Sequence, residues 1–306
     1  MKIFYSPEKL SAAINRIRQD KKRVGFVPTM GALHAGHLSL IKQAAKENNT
    51  IVVSIFVNPA QFGPREDLKK YRRPLKKDLA LCREAGVDFI FLPDNKIMYP
   101  HAYSTFVNVE GLSGVLCGST RPGHFRGVTT VVAKLLNIVR PDLLYLGQKD
   151  AQQALIIARM IKDLNFPVKV KVMPTIREKD GLALSSRNTY LSKKERNDAV
   201  VLSKALLLAQ SLIDNGQRHA DRIISRMKEL ISKKRSARID YVSIVDLENL
   251  MPLKKIRPGC LIALAVRIGK TRLIDNIIIT RDGSQLKAEL SPKKGQFSFG
   301  LRTVPK

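Results

Sequence analysis

The sequence predicts an α/β fold, with a Rossmann-like parallel sheet covered by helices on both faces and a smaller α+β domain after it. Short apolar stretches alternate with helical patterns over residues 1–176. These stretches are apolar almost throughout, which is typical of strands that are buried on both faces of a parallel sheet. After residue 177 the alternation is replaced by helices and then strands. We therefore expect domains at 1–176 and 177–280 and a basic, disordered tail at 281–306.

The individual elements follow from local patterns. Apolar runs predict five strands in the first domain, at 24–27, 51–57, 89–92, 143–146 and 168–172. Apolar residues at helical spacing predict helices between them, at 38–47, 74–85, 128–139 and 151–164. In the second domain Ser192 is a candidate N-cap for one helix over 193–214, which Gly216 ends. A helix at 220–233 and strands at 239–245, 261–266 and 272–279 complete this domain.

The composition indicates a globular protein with an unusual charge. The apolar fraction is 44%, as in folded domains rather than disordered chains. Lys and Arg number 54 against 26 Asp and Glu, which gives a net charge of +28. Such an excess favours nucleic acid or small polyanionic substrates as partners. The basic residues are dispersed, however, and no aromatic-interleaved platform accompanies them, so we expect most of them on solvated surfaces.

The sequence also predicts a compartment. No apolar run approaches the length of about 20 residues that a membrane helix needs, and the first residues lack the apolar region of a signal peptide. Cys82, Cys117 and Cys260 are widely spaced and match no metal-ligand spacing. We therefore expect a cytoplasmic protein with reduced cysteines and no membrane partner.

The segment 28–37 follows the first predicted strand and contains a glycine-punctuated turn and two histidines. The free N–H groups at the start of the next helix favour phosphate binding, and Gly36 lets a ligand approach the backbone closely. His34 and His37 lie on the same side of the first turn, where they can donate hydrogen bonds to anionic oxygens. The same spacing is compatible with helix capping or with a metal-binding pair.

Polar loops follow other strands at the same edge of the predicted sheet, where such folds bind ligands. Gln61 offers donors and acceptors to a small polar ligand. Lys149 can meet a phosphate as a point charge, and Asp150 can accept from a ribose hydroxyl or cap the following helix. From spacing alone, a turn amide without a ligand accounts for Gln61, and a helix cap accounts for Asp150.

Two further loops carry basic and hydroxyl groups. The glycine-bounded loop 118–127 can close over an anion. Ser185 and Ser186 beside Arg187, at the domain junction, are suited to clamping a departing pyrophosphate, although a plain Ser-rich linker would have the same local sequence. The sequence has no Walker A motif, dinucleotide GxGxxG, zinc spacing or G-x-S-x-G elbow. This argues against P-loop enzymes, dinucleotide-dependent dehydrogenases and α/β-hydrolases.

Taken together, five segments resemble the pantoate–β-alanine ligase (pantothenate synthetase) family of the HIGH-type nucleotidyltransferases. They are PTMGALHAGHLSLI (28–41), SIFVNPAQFG (54–63), RPGHFRGVTTVVAKLLNIVRPD (121–142), LGQKDAQQ (146–153) and LSSRNTYLS (184–192). The resemblance covers residues 1 to about 280 in the family's order. It implies ATP-dependent condensation of pantoate with β-alanine through pantoyl adenylate, with release of pyrophosphate and AMP. It also implies Mg²⁺ alongside ATP, and a homodimer formed through the N-terminal domain.

The resemblance further implies roles for individual residues. His37, in the position of a proton donor, is implied to be catalytic together with His34, Lys149 and Arg187. The implied ATP-binding residues are Met30, Gly31, Ala32, Leu33, His34, Ala35, Gly36, His37, Gly147, Gln148, Lys149, Asp150, Ile176, Leu184, Ser185, Ser186 and Arg187. Gln61 and Gln153 are implied to bind pantoate, and Gln61 also β-alanine. Asp78 occupies the position of an acidic residue near Mg²⁺.

The chain departs from the family pattern at a few positions. The family commonly has Tyr-Pro-Arg-Thr at 71–74 and two acidic residues at 77–78, where this chain has Tyr-Arg-Arg-Pro and Lys-Asp. Gln148 and Ala151 replace the usual Glu and Tyr. Two other functions stay open: an RNA-binding protein on a retained ligase fold, which the charge favours, and an adenylating ligase for another carboxylic acid.

Overall fold

The structure is a computed structural model, and it describes residues 1–64 and 66–279. A six-stranded sheet, parallel throughout, forms the first part of the chain in the order β1-β4-β3-β2-β5-β6. Its strands are β1 (Lys2–Phe4), β2 (Val24–Thr29), β3 (Thr50–Ile55), β4 (Phe89–Phe91), β5 (Leu143–Gly147) and β6 (Lys169–Met173). The predicted parallel sheet is confirmed. β1 was not predicted, because three residues are too few to establish a pattern.

Helices cover both faces of this sheet, as predicted. They are α1 (Pro7–Gln19), α2 (Ala35–Glu47), α3 (Leu75–Glu84), α4 (Asn95–Met98), α5 (Cys117–Thr120), α6 (His124–Val139) and α7 (Ala151–Asp163). Successive residues of a strand point to opposite faces. Phe26 accordingly packs with Leu136 and Ile157 on one face, whereas Val27 packs with Ile41 and Cys82 on the other.

The α+β part that follows has its own antiparallel sheet and core. Strands β7 (Ala237–Asp246), β8 (Cys260–Ile268) and β9 (Thr271–Ile279) pair in that order. Helices α8 (Lys193–Ala199), α9 (Val201–Asp214) and α10 (Ala220–Ser232) precede them. Residues of α9, α10 and this sheet share one apolar cluster, represented by Leu206, Ile223 and Leu264. The two sheets fall on either side of residue 177, although the predicted domain limits themselves stay predictions.

The prediction of a single helix over 193–214 was wrong in one respect. Ser192 does cap it, with a capping box formed with Glu195, but the helix is interrupted at Val200. There ψ is −19° and the N–H of Val200 donates to the carbonyl of Asp198, which tightens the turn and breaks the α-helical hydrogen-bond ladder. The tail predicted to be disordered at 281–306 lies outside the described residues.

The two sheets are joined by a shared apolar cluster and a buried ion pair. The cluster brings Leu155 and Ile156 of α7 against Leu261 of β8. Arg177 donates to both carboxylate oxygens of Asp275, at 2.6 and 2.9 Å, and Asp275 is only 2% exposed. Within residues 1–64 and 66–279, no helix has the length and apolar character needed to cross a membrane.

A substitution at Gly127 tests how closely α6 approaches the segment that follows β3. A Cβ at this position would lie 2.2 Å from the carbonyl oxygen of Ala60. We expect Gly127→Ala to lower the free energy of unfolding by about 1–3 kcal/mol, because the backbone has to move apart to admit a methyl group. Urea denaturation followed by circular dichroism measures this change.

Gly114 provides the matched control, because the nearest atom to a Cβ there is 3.6 Å away. Gly114→Ala is expected to stay within about 0.5 kcal/mol of the parent chain. Equal unfolding midpoints for Gly127→Ala and Gly114→Ala would contradict the close approach.

Candidate active site

A cavity of about 240 Å³ opens at the carboxyl ends of β2, β3 and β5. This is the edge of a parallel sheet at which ligands usually bind. Most of the residues predicted to contact ATP or pantoate line it. They are Met30, His34, Gly36, His37, Gln61, Gly147, Lys149, Asp150, Gln153, Ile176, Leu184, Ser185, Ser186 and Arg187. Loops separated by more than 150 residues in the chain therefore meet at one place.

The remaining predicted residues lie outside the cavity lining, and most of them belong to the segment between β2 and the first turn of α2. Gly31, Ala32 and Leu33 lie in the turn between β2 and α2, and Ala35 is the first residue of α2. The Gly31 and Ala32 backbones are both left-handed, with φ of 77° and 51°, a conformation that is unfavourable for a residue with a side chain. These residues therefore contribute to a ligand site by determining the path of the backbone.

Asp78, in the first turn of α3, stabilises the turn between β2 and α2. Its carboxylate oxygens accept hydrogen bonds from the N–H groups of Ala32 and Leu33, each at 2.8 Å. Thr29 assists, because its hydroxyl accepts from Gly31 N–H at 3.2 Å and donates to the carbonyl of Ser54 at 2.8 Å. The left-handed turn is thus stabilised by hydrogen bonds from two neighbouring elements.

These contacts give Asp78 a different role from the one expected at a metal. The residue is 1% exposed and burial raises the pKa of its carboxyl. Both oxygens are occupied by backbone donors, and Asp78 is not part of the cavity lining. Among the described residues no group of three or more His, Cys, Asp and Glu side chains is arranged to hold a metal. The geometry therefore favours a structural role for Asp78.

The two histidines stand at the N-terminus of α2 with their rings 4.1 Å apart. His34 is the N-cap, and its Nδ1 accepts from Gly36 N–H at 3.2 Å. The Nδ1 atom of His37 accepts from the backbone N–H of His34 at 3.4 Å. A ring nitrogen that accepts carries no proton, so in the neutral ring the proton is on Nε2. The capping interpretation and the ligand interpretation of this motif are therefore compatible, since one nitrogen of each ring caps and the other is left to donate.

The surroundings keep both rings neutral. Burial, together with the positive charge of Lys149, lowers the pKa of His34 to about 4. Burial and the neighbouring His34 lower the pKa of His37 to about 3. At neutral pH the pair therefore presents two uncharged N–H donors beside the cationic Lys149. Such an arrangement suits phosphate oxygens, because it needs no proton uptake to bind them.

Gln61 is fixed by a buried network between the β3 loop and α6. Asn58 donates to the Gln61 side-chain oxygen at 3.1 Å, and Tyr99 donates to Asn58 at 2.7 Å. The Gln61 amide nitrogen lies 3.2 Å from the sulfur of Met30. The His124 ring nitrogen Nδ1 lies 2.7 Å from the Gln61 carbonyl oxygen. The amide is thus held in one orientation at the cavity wall, which favours a binding role over that of a plain turn amide.

The loop after β5 contributes some side chains to the cavity and others to contacts with the second sheet. Lys149 and Asp150 line the cavity, with the Lys149 ammonium 3.6 Å from the Asp150 carboxylate. Asp150 makes no side-chain capping hydrogen bond to α7. Gln148 instead points to β9, where Asn276 donates to the backbone carbonyls of Gln148 and Lys149 at 3.0 Å. Gln148 therefore positions its neighbours rather than lining the cavity.

The serine-rich junction forms the wall nearest the second sheet. Ser185 caps a short 3-10 helix, Ser186–Tyr190, by accepting from Arg187 N–H. Arg187 makes a bidentate ion pair with Asp67 at 2.8 and 2.9 Å. Burial opposes the charge on Arg187, but the hydrogen bonds and charge of Asp67 outweigh it and raise its pKa. The tyrosine at position 71, in a segment where the chain departs from the family, lies 3.4 Å from the Ser186 hydroxyl.

Sequence reasoning missed several residues of this site. Arg121 and His124 line the cavity, although the loop that carries them was recognised only as a possible anion loop. Arg121 pairs with Glu66 at 2.6 and 2.7 Å. Thr175 also lines the cavity and is 8% exposed, and its hydroxyl has no hydrogen-bond partner within the described part of the chain. Arg121 and His124 lie in the family-like segment 121–142, but no role was assigned to them, and no motif marks Thr175. Their roles depend on which distant loops meet.

The role of Asp78 can be tested by Asp78→Asn. The amide keeps one acceptor for the turn and loses the other, so we expect the free energy of unfolding to fall by about 1–3 kcal/mol. Chemical denaturation without added metal measures this loss. An unchanged free energy of unfolding, combined with a raised Mg²⁺ requirement for activity, would instead support the metal role.

The neutral histidines predict a pH dependence of stability. The unfolded chain takes up protons on these rings near the usual pKa of 6.5, whereas the folded chain takes them up only near 4 and 3. The unfolded state therefore binds more protons between these values, so the free energy of unfolding falls as pH is lowered from about 6.5 to about 4. His37→Gln removes one such group and should make this dependence shallower.

Urea denaturation at stepped pH values measures the slope. Lys228→Gln, on the exposed surface of α10, is the control and should keep the parent slope. Parallel curves for His37→Gln and the parent chain would show that His37 is not held neutral by the fold.

Comparison with known proteins agrees with this geometry. A family model described as pantoate-beta-alanine ligase matches residues 2–278. The pantothenate synthetase of Thermosipho africanus is 52% identical over 279 residues, covering 91% of this chain and all of the relative. That of Moorella thermoacetica is 54% identical over 262 residues, covering 86% of this chain and 93% of the relative.

Solved structures agree as well. The crystal structure of the Thermus thermophilus pantothenate synthetase has a TM-score of 0.87 and 46% identity, covering 92% of this chain and all of that one. The Francisella tularensis pantoate-beta-alanine ligase, complexed with beta-gamma ATP and beta-alanine, has a TM-score of 0.76 and 35% identity, covering 91% of this chain and 97% of that one. The fold, the site and these matches agree: the chain belongs to the pantoate–β-alanine ligase family.

Proposed function

We propose that this chain joins pantoate to β-alanine in two steps at the cavity beside His34 and His37. ATP first converts the pantoate carboxylate to pantoyl adenylate with release of pyrophosphate. The amine of β-alanine then attacks the activated carbonyl, and AMP leaves. The observation that carries this proposal is the meeting of all five family-like segments around one cavity. The Francisella relative, which holds an ATP ligand and β-alanine, supports the assignment of the substrates.

The phosphates bind over the N-terminus of α2 in this proposal. Two neutral Nε2–H donors and the ammonium of Lys149 face the triphosphate. Because its ring is neutral, His37 acts here as a hydrogen-bond donor and not as the proton donor that the resemblance implies. The carboxylate of pantoate attacks the α-phosphate, so negative charge moves onto the departing pyrophosphate. Donors that are already in place stabilise this charge without rearrangement, which is the main source of rate enhancement in such reactions.

The residues of the cavity wall indicate where the other substrate groups bind in this proposal. Ile176, Leu184 and Met30 supply apolar surface for the nucleotide, and the neighbouring Thr175 hydroxyl is available to it. Asp150 is left to accept from a ribose hydroxyl because it does not cap α7. The amides of Gln61 and Gln153, the latter also lining the cavity, bind pantoate, and Gln61 meets β-alanine.

Arg187 and the serines grip the leaving phosphates. In the described structure Arg187 is paired with Asp67, so phosphate oxygens have to compete with a carboxylate for the same guanidinium. A bidentate phosphate contact matches the geometry that Arg187 already presents to that carboxylate. Ser185 and Ser186 line the cavity beside it and add hydroxyl donors.

Mg²⁺ enters this proposal bound to ATP. Magnesium in phosphoryl-transfer sites is commonly held by substrate phosphates, water and one or two carboxylates rather than by a protein cage. The described residues fit this mode, since no three-residue ligand cluster is present among them. Asp150 is a carboxylate at the cavity with a side chain 48% exposed. When bound, Mg²⁺ neutralises charge on the phosphates.

The chain acts in this proposal as a homodimer in a reducing, cytoplasmic compartment. Phe106, in the segment before α5, is 45% exposed; its ring makes a T-shaped contact with Tyr103, and the Arg126 guanidinium lies over the ring. A second copy would cover this surface, and sedimentation velocity of the purified chain tests it. Cys82, Cys117 and Cys260 are all free and buried, which is compatible with a reducing compartment.

An RNA-binding role is not favoured, because the family match covers residues 2–278 and includes every segment at the cavity. An adenylating ligase for a different carboxylic acid is the more useful alternative to test. A panel of carboxylic acids, each supplied with ATP and Mg²⁺, distinguishes it: pantoate should support pyrophosphate release and the other acids should not.

The direct test is AMP formation with and without each substrate. We expect AMP and pantothenate only when ATP, Mg²⁺, pantoate and β-alanine are all present. His37→Ala should slow pyrophosphate release in a single turnover by about 10²–10³-fold, the usual cost of one preorganised donor. Lys228→Gln, remote from the cavity, is the control. A His37→Ala chain that forms the adenylate at the full rate would remove His37 from the mechanism.

A further inference from the structure

A second cavity, of about 1000 Å³, adjoins the first on the side of the C-terminal sheet. Arg121, Lys149 and Arg187 line both cavities. The second cavity is bounded by the segment that carries Glu66 and Asp67, by α5, and by strands β8 and β9. The residues at the shared boundary have substrate roles above, whereas those that β8, β9 and their turn contribute to the second cavity have none. Its position makes it the space into which a group leaving the phosphate site would move.

The far wall of this cavity carries an excess of positive charge. Arg267, Lys270 and Arg272, at the β8–β9 turn, all line it. Asp240 is the one carboxylate of the described structure that pairs with this group, at 2.7 Å from Arg272 and 3.4 Å from Arg267. Two of the three cations therefore share one carboxylate. Lys270 has no ion pair within residues 1–64 and 66–279.

Arg272 is held firmly in this wall. Its side chain is 15% exposed, and its guanidinium lies 3.3 Å from the Thr120 hydroxyl and 3.6 Å from the Cys117 sulfur, both on α5. The nearby carboxylate of Asp275 does not neutralise it, because Asp275 is engaged by Arg177. A partly buried guanidinium that links the two halves of the chain and faces a cavity places a fixed positive charge beside any anion bound there.

Positively charged side chains are also present at the boundary between the two cavities. Arg187 and Arg121 lie where the cavities meet, and each is paired with one carboxylate, Asp67 and Glu66 respectively. The proposed reaction produces pyrophosphate beside His34. A polyanion leaving that position would pass from Lys149 and Arg187 to cations that have less negative charge around them.

We propose that the second cavity is a pyrophosphate-binding vestibule, in which Arg267, Lys270 and Arg272 receive the pyrophosphate that leaves the catalytic cavity. This inference rests on the proposed function for the source of the pyrophosphate. The ligand class is a compact polyanion with two linked phosphates. Such a site separates the leaving group from the adenylate and so disfavours the reverse reaction before β-alanine attacks.

The test titrates inorganic pyrophosphate into the full chain with the catalytic cavity filled. Saturating α,β-methylene-ATP occupies the triphosphate position and releases no pyrophosphate. We expect calorimetry to detect pyrophosphate binding under these conditions. Lys270→Gln should weaken it about threefold to fivefold, the effect of one exposed charge contact. Lys228→Gln, which removes the same charge from α10, should not.

Product inhibition by pyrophosphate distinguishes its source. Lys270→Gln should raise the inhibition constant of pyrophosphate against ATP by the same factor, while the single-turnover rate of adenylate formation stays unchanged. If pyrophosphate binds but its inhibition constant does not move, the cavity takes a phosphorylated ligand from solution, and the assignment to the leaving group is wrong. If pyrophosphate fails to bind the filled enzyme, the vestibule itself is wrong.

These outcomes are separable from failure of the proposed function. A chain that forms no AMP from pantoate and ATP refutes the ligase activity, whereas pyrophosphate binding is measured without turnover. Arg267→Gln is a second variant, with a side chain 37% exposed, and should weaken pyrophosphate binding in the same direction as Lys270→Gln.

Discussion

The active site depends on one buried carboxylate. Asp78 reaches from α3 to accept the N–H groups of Ala32 and Leu33, and so holds a turn whose backbone is left-handed at two successive residues. Without these acceptors the half-buried N–H of Ala32 and the buried N–H of Leu33 would be unpaired, at a cost of about 1–3 kcal/mol for the buried one. The turn determines where α2 begins, and the start of α2 determines where His34 and His37 stand.

The histidine pair shows how this backbone geometry determines the protonation of the two rings. Each Nδ1 accepts from the backbone of the first turn, which leaves the proton on Nε2. Burial keeps the rings uncharged. The positive charge at the site is instead supplied by side chains that are permanently charged, Arg187 and Arg121, each restrained by a carboxylate. Neutral donors and restrained cations together suit a reaction in which charge moves along a triphosphate.

Much of this was predictable from sequence, for a physical reason. The inner parallel strands are nearly continuous apolar runs, and the edge strand β6 alternates Val with Lys, so the sheet was predicted apart from the three-residue β1. The site motifs occupy loops whose sequence is distinctive. The pairs Asp67–Arg187 and Glu66–Arg121 were not predictable, because they join residues 120 and 55 positions apart. The structural role of Asp78 was missed for the same reason. A carboxylate near a phosphate site suggests a metal until its backbone partners are known.

The central claim is that the fold holds His34 and His37 as neutral Nε2–H donors for phosphate. Nitrogen NMR of the imidazole rings at neutral pH, with and without ATP, tests it most directly. We expect two neutral rings protonated at Nε2 in the free chain, with both Nε2 signals shifting when ATP binds. Rings that are doubly protonated or protonated at Nδ1 in the free chain, or that do not respond to ATP, would contradict it.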